Sequence, residues 1–158
     1  MKHSNTPGAD YSSNNVKIAI VSARFNGEIV ESMRDAAIKT LLEHGVDKNN
    51  IVNSHVPGAF ELPLACKQYA TRGYDAVIAL GCVIRGDTPH FDYVCNAAAN
   101  GIQQASLDTN TPIAFGVLTT DTTEQALQRS SKTSIEDNKG RDAALCTLEM
   151  INVLGSIQ

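Results

Sequence analysis

The apolar positions of the chain follow two alternating periods. "VKIAIVS", Val16 to Ser22, is a short β-branched run without alternation, the pattern of a strand buried on both faces. Beyond it, Val30, Met33, Ala37 and Leu41 recur at helical spacing, with Asn26 as the expected cap and Gly45 as the terminator. A second strand is predicted near "NIVNSHV", and a second helix over "LPLACKQYATRG", stopping at Gly73. "DAVIALGCVI", Asp75 to Ile84, is the most apolar segment and reads as the central strand. The spacing then predicts a helix from His90 to about Leu107, a fourth strand over Pro112 to Thr120, and a helix opening at "TEQALQR". Ala144, Leu148 and Ile151 mark a last helix, its stripe widened by Leu145 and Leu154.

Strands alternating with helices through short connections predict an α/β fold, a four-stranded parallel sheet with helices on both faces. Right-handed crossovers suffice to wind it. In such open sheets ligands bind beyond the carboxyl ends of the strands, where strand order reverses. That rule selects four segments: "ARFNG", "PGAFELP", "RGDTPH" and "TTDTTEQ", one after each strand. Each carries polar or aromatic groups that a plain turn does not require.

At 158 residues the chain is long enough to bury one sizeable core and too short for two ordinary ones. We divide it into a polar arm over residues 1–15, which reads as flexible, and one domain over 16–158. A net charge of −4 with no Lys/Arg cluster argues against a nucleic-acid partner. The apolar runs are far too short to cross a membrane, and the arm lacks the apolar core of a secretory signal. Cys66, Cys82, Cys95 and Cys146 are scattered and form no CxxC pair, the usage of buried thiols in a reducing cytoplasm. His3, His44, His55 and His90 show no ligand spacing, so no metal is expected.

In "RGDTPH", Thr88 and Pro89 read as a helix start, threonine capping and proline at the first helical position. His90 then falls on the first turn, at the carboxyl edge of the sheet. A helix amino end suits phosphate or another anion, and an imidazole beside it can take up and return protons. The plainer reading is a capped helix with an exposed histidine. In "PGAFELP", Gly58 and Ala59 let a ligand approach the backbone, while Glu61 is also ordinary dipole complementarity. Phe25 and Phe115 are either stacking platforms or core, and Arg129 and Lys139 either bind phosphate or are solvated surface charges. No Gly-x-Gly-x-x-Gly or Gly-Lys-Ser/Thr loop is present, which withdraws the usual support for dinucleotide and nucleoside-triphosphate sites.

"SARFN", "VPGAFELP", "ALGCVIRGDTPHFDYV", "AFGVLTT", "TEQALQR" and "NKG", in that order, resemble the lumazine synthase family of riboflavin biosynthesis. The resemblance runs from about Val16 to Leu154. It implies a flavodoxin-like three-layer sandwich and a transferase that uses no cofactor. The implied reaction condenses 5-amino-6-(D-ribitylamino)uracil with 3,4-dihydroxy-2-butanone 4-phosphate. Its products are 6,7-dimethyl-8-ribityllumazine, phosphate and water, in the penultimate step of riboflavin biosynthesis. By motif, Phe25 matches the residue that stacks on the pyrimidine, and His90 the proton donor and acceptor. Ala59, Phe60 and Glu61 match the ribityl-contacting segment, and Cys82, Val83 and Ile84 the one holding the heterocycle. Asp87 and Thr88 match the phosphate-side turn. Phe115 and Arg129 match residues supplied by a neighbouring subunit, the arginine gripping phosphate, and Lys139 stands in the retained "NKG" as a further phosphate-side residue.

Two departures matter. Cys82 stands where the family more often has threonine. After Arg129 the chain reads "RSSKTSIEDNKG", two residues longer than the family's usual glycine-rich turn. Longer connections there accompany free pentamers, so the expectation is a homopentamer with active sites at subunit interfaces, not an icosahedral shell of sixty subunits. Riboflavin synthase is the one further protein partner the resemblance brings into view. The rival reading is a non-catalytic flavin- or lumazine-binding protein of the same fold. Such a protein would keep the aromatic wall but lose the proton carrier and the phosphate arginine.

Overall fold

A computed structural model describes residues 10–158 of the chain. The predicted alternation is present throughout: β1 (Ile18–Ala23), α1 (Gly27–Glu43), β2 (Ile51–Val56), α2 (Leu62–Ala70), β3 (Ala76–Ile84), α3 (His90–Thr109), β4 (Ile113–Thr120), α4 (Thr123–Arg129) and α5 (Lys139–Ser156). Three single-turn 3₁₀ segments, Lys48–Asn50, Ala59–Glu61 and Ile135–Asp137, punctuate the connections. The strands form one sheet in the order β2-β1-β3-β4, all parallel, as the α/β reading requires.

Alternate residues of the inner strands feed two cores. Ile18, Ile20, Ile78 and Leu80 face α1 and α5, where they meet Val30, Met33, Leu41, Ala144 and Leu148. Ala19, Val21, Val77 and Ala79 face α2 and α3, meeting Leu62, Cys66, Ala98 and Ile102. This explains why β1 and β3 read as unbroken apolar runs: each is covered on both sides. Each fully buried Ile, Leu or Met side chain contributes about 1.5–3 kcal/mol, so this sandwich is where the fold is held.

Helix ends follow their residue chemistry. Gly45 and Gly73 adopt positive φ after α1 and α2; α3 ends at Thr109, two residues beyond the expected limit, and Asn110 (φ 50) caps it in the left-handed region. Helix α4 opens on a reciprocal cap. Thr122 Oγ1 accepts from Gln125 N–H at 3.2 Å, while Gln125 Oε1 accepts from Thr122 N–H at 3.4 Å.

The "NKG" motif is the amino end of α5, and its residues do three different things. Asn138 caps the helix, accepting Gly140 N–H at 2.9 Å, and donates to Ser131 O at 3.0 Å to close the lengthened 130–138 loop. Gly140 lies against α1, where a Cβ would collide with the carbonyl of Met33. The Lys139 ammonium pairs with Asp142 at 2.7 Å.

Residues 1–9 of the expected arm lie outside the described residues. Of the rest, Tyr11 is only 3% exposed and donates its hydroxyl proton to Leu148 O at 2.5 Å. An aromatic side chain with a satisfied hydroxyl is thereby anchored to α5, so packing extends ahead of the boundary at residue 16.

Candidate active site

From β1 the chain crosses to β2 on one side of the sheet and then to β3 on the other. The carboxyl tips of β1 and β3 therefore flank the crevice where strand order reverses. Arg24 N–H donates to Val56 O at 2.8 Å and Phe25 N–H to Pro57 O at 3.2 Å, which extends the β1–β2 pairing past the strand ends. Phe25 is held there with 72% of its surface exposed. Asn26 occupies the cap position of α1 but does not cap it with its side chain. With φ 55 and ψ 43 it turns the chain, and its Nδ2 donates across the crevice to Cys82 O at 2.9 Å. The left-handed turn aims the amide at β3 instead of the helix amides, so the expected side-chain cap is replaced by an interstrand tie.

The segment after β2 folds back over β3. Glu61 Oε2 accepts Gly58 N–H at 2.9 Å, and Glu61 N–H donates to Gly58 O at 3.3 Å, fixing a tight turn that presents Phe60 outward. The turn can sit close because β3 carries Gly81. A Cβ there would lie 3.2 Å from Leu62 Cδ1 and 3.5 Å from the Ala59 methyl. Ala59 is buried, and Phe60 is 61% exposed.

The third wall is the β3–α3 connection. Helix α3 starts at His90, with Pro89 in the cap position at φ −66 and ψ −2. Thr88 therefore stands one residue farther out than a cap, and its hydroxyl accepts only the His90 N–H, at 3.4 Å. Proline's fixed φ turns the chain early, which explains the offset. Ile84, Gly86, Thr88, His90, Phe91 and Val94 line the cleft along this wall.

Together these segments enclose a cleft of about 570 Å³, a size suited to a small organic ligand. Cys82, Val83 and Ile84 contribute apolar lining, Phe25, Phe60 and Phe91 aromatic rings, and His90 the imidazole. Burial pushes the Cys82 thiol up to about 11, so at neutral pH it meets a ligand as an uncharged, weakly polar group. Three kinds of chemistry converge: rings that accept a flat heterocycle, the amino end of a twenty-residue helix that favours an anion, and an imidazole that moves protons.

Of the residues singled out from sequence, Phe25, Ala59, Phe60, Glu61, Cys82, Val83, Ile84, Thr88 and His90 line this cleft. Asp87 is exposed between two lining residues and does not line it. Phe115 lies in edge strand β4 with 47% of its surface exposed. Arg129 ends α4, its guanidinium donating to Gln125 O at 3.0 Å. Lys139 is committed to Asp142. None of these last three reaches the cleft of its own chain. Phe91, Val94 and Gly86 line the cleft without having been singled out; the motif "RGDTPHFDYV" contains all three, and the helical spacing of His90, Phe91 and Val94 was the available signal.

A family model described as 6,7-dimethyl-8-ribityllumazine synthase matches residues 15–155. The match takes in every element that shapes the cleft, and the chain belongs to the 6,7-dimethyl-8-ribityllumazine synthase family.

Proposed function

We propose that the protein condenses 5-amino-6-(D-ribitylamino)uracil with 3,4-dihydroxy-2-butanone 4-phosphate, releasing 6,7-dimethyl-8-ribityllumazine, phosphate and water. The observation that carries this reading is the meeting of Phe25 and His90 on one cleft beyond the tips of β1 and β3. The Phe25 ring takes the pyrimidine face, and Ala59–Glu61 follow the ribityl chain. The turn at Gly86–Thr88 and the amino end of α3 take the phosphate, with Arg129 supplied by a neighbouring protomer. Imine formation, phosphate elimination, tautomerisation and ring closure each move a proton, and His90 serves those transfers. Holding the two substrates against each other supplies much of the acceleration.

Arg129 and Phe115 stand outside their own cleft, which supports active sites shared between subunits. The assembly we propose is a cytoplasmic homopentamer. Mixing the two substrates with purified protein tests the function through the absorbance and fluorescence of the lumazine. A rate no faster than the uncatalysed mixture rejects it. Sedimentation at a mass near sixty subunits rejects the free pentamer.

A further inference from the structure

Arg85 has no part in the cleft lining, although both its sequence neighbours, Ile84 and Gly86, do. Its side chain turns away from the cleft and joins three elements. The guanidinium carbon lies 4.3 Å from the centroid of the Phe91 ring, on the first turn of α3. Nε donates to Asp121 Oδ1 at 2.8 Å, at the β4–α4 junction, and Nη1 donates to Asp92 Oδ1 at 3.4 Å. Asp121 is itself fixed, since its N–H donates to Gln125 Oε1 at 2.8 Å. The main chain adds a further tie, Arg85 N–H to Thr120 O at 2.9 Å. A planar guanidinium can stack on a ring face while its edge donates to carboxylates, a combination an ammonium does not offer.

We infer that Arg85 is a positioning residue: it clamps the first turn of α3 against the ends of β3 and β4, and so sets where His90 and Phe91 stand in the cleft. The inference rests on the proposed reaction at that cleft. The turn is closed by Asp92 N–H donating to Pro89 O at 3.0 Å, and side-chain capping and core packing add little at His90 and Phe91. The Thr88 hydroxyl bond is long, and His90 and Phe91 lie outside the buried clusters. Arg85 and its two carboxylates are each about half exposed, so the ion pairs add little to folding and the clamp acts on geometry.

The test is steady-state kinetics of Arg85→Ala on both substrates, in the wild-type chain and in His90→Ala. A positioning role predicts a fall in kcat of about tenfold with KM values within about twofold, because ground-state contacts persist while the imidazole is misplaced. In His90→Ala the same substitution should cost less than about twofold, since a clamp acting through His90 has nothing left to hold. Equal losses in both backgrounds, or an unchanged kcat, would overturn the role while leaving the reaction itself standing. An inactive wild-type protein would overturn both. Should Arg85→Ala not fold, Arg85→Lys carries the test: it keeps a charge for the carboxylates but loses the flat group over Phe91. Its kcat should still fall several-fold, and wild-type turnover in Arg85→Lys would refute the clamp.

Discussion

Asn26 Nδ2 and the Cys82 carbonyl oxygen lie 2.9 Å apart across the tips of β1 and β3, the one place where the two halves of the sheet diverge. The bond closes the floor of the cleft and ties the segment bearing Phe25 to the strand that leads to His90. Asn26→Gly keeps the left-handed backbone and removes this bond, which should cost about 1 kcal/mol. Asn26→Ala should cost about 1–2 kcal/mol more, because a Cβ disfavours φ 55. Urea denaturation of the two variants checks the order; equal stabilities would mean the backbone conformation carries no strain.

His90→Ala should slow turnover by about tenfold to a hundredfold without abolishing it, because substrate juxtaposition survives the loss of the proton carrier. Arg129→Ala should chiefly raise KM for the phosphate-bearing substrate. Because Arg129 stands outside its own cleft, the two variants should complement each other. Unfolded together at equal amounts and reassembled, they should recover roughly a quarter of wild-type activity, the statistical share of interfaces with both intact groups. Recovery no greater than the mean of the two separate variants would place both residues in the same site of one chain.

Gly140→Ala forces a methyl into the Met33 backbone at the α1–α5 contact. Neither group is the free end of a flexible side chain, so the helices must separate, at a cost of about 3 kcal/mol. Gly27, on the first turn of α1, has nothing within 4 Å of such a methyl, and Gly27→Ala serves as the near-neutral control. Thermal unfolding of the pair measures the difference.

Burial raises the Cys82 thiol to about 11 and the Cys66 thiol to about 12, against an ordinary value of 9.0. The folded state thus holds protons that the unfolded chain releases. This contribution is complete below pH 9 and is lost as pH rises through the folded values. Stability should therefore decline between about pH 9 and 12. Cys82→Thr, which removes one of the buried titrating thiols, should make that decline shallower. Denaturation midpoints across the alkaline range decide it, and identical slopes would remove Cys82 from the linkage.

Much of the architecture was legible because burial leaves a period. The unbroken runs of β1 and β3, the helical stripe Val30–Met33–Ala37–Leu41 and the glycines ending α1 and α2 each concern one element and its two faces. Of the four segments the switch-point rule selected, those after β1, β2 and β3 became the cleft walls, while "TTDTTEQ" after β4 lines no part of it. The same reasoning left Phe25 and Phe115 ambiguous. Periodicity reports that a ring is apolar, and only the topology puts Phe25 at the crevice and Phe115 on an edge strand away from it.

Spacing along the chain thus sufficed for the class of fold, the order of its elements and three of the loops that wall the cleft, since those follow from local apolar pattern and connection length. Partnerships between distant residues required the folded chain. Asn26 turning from its helix to Cys82, Arg85 stacking on Phe91, Gly140 meeting Met33 and Lys139 spent on Asp142 all depend on how elements pack and which strands adjoin. A hydrogen bond or ring contact is specific to within a fraction of an ångström, and no one-dimensional pattern carries that distance.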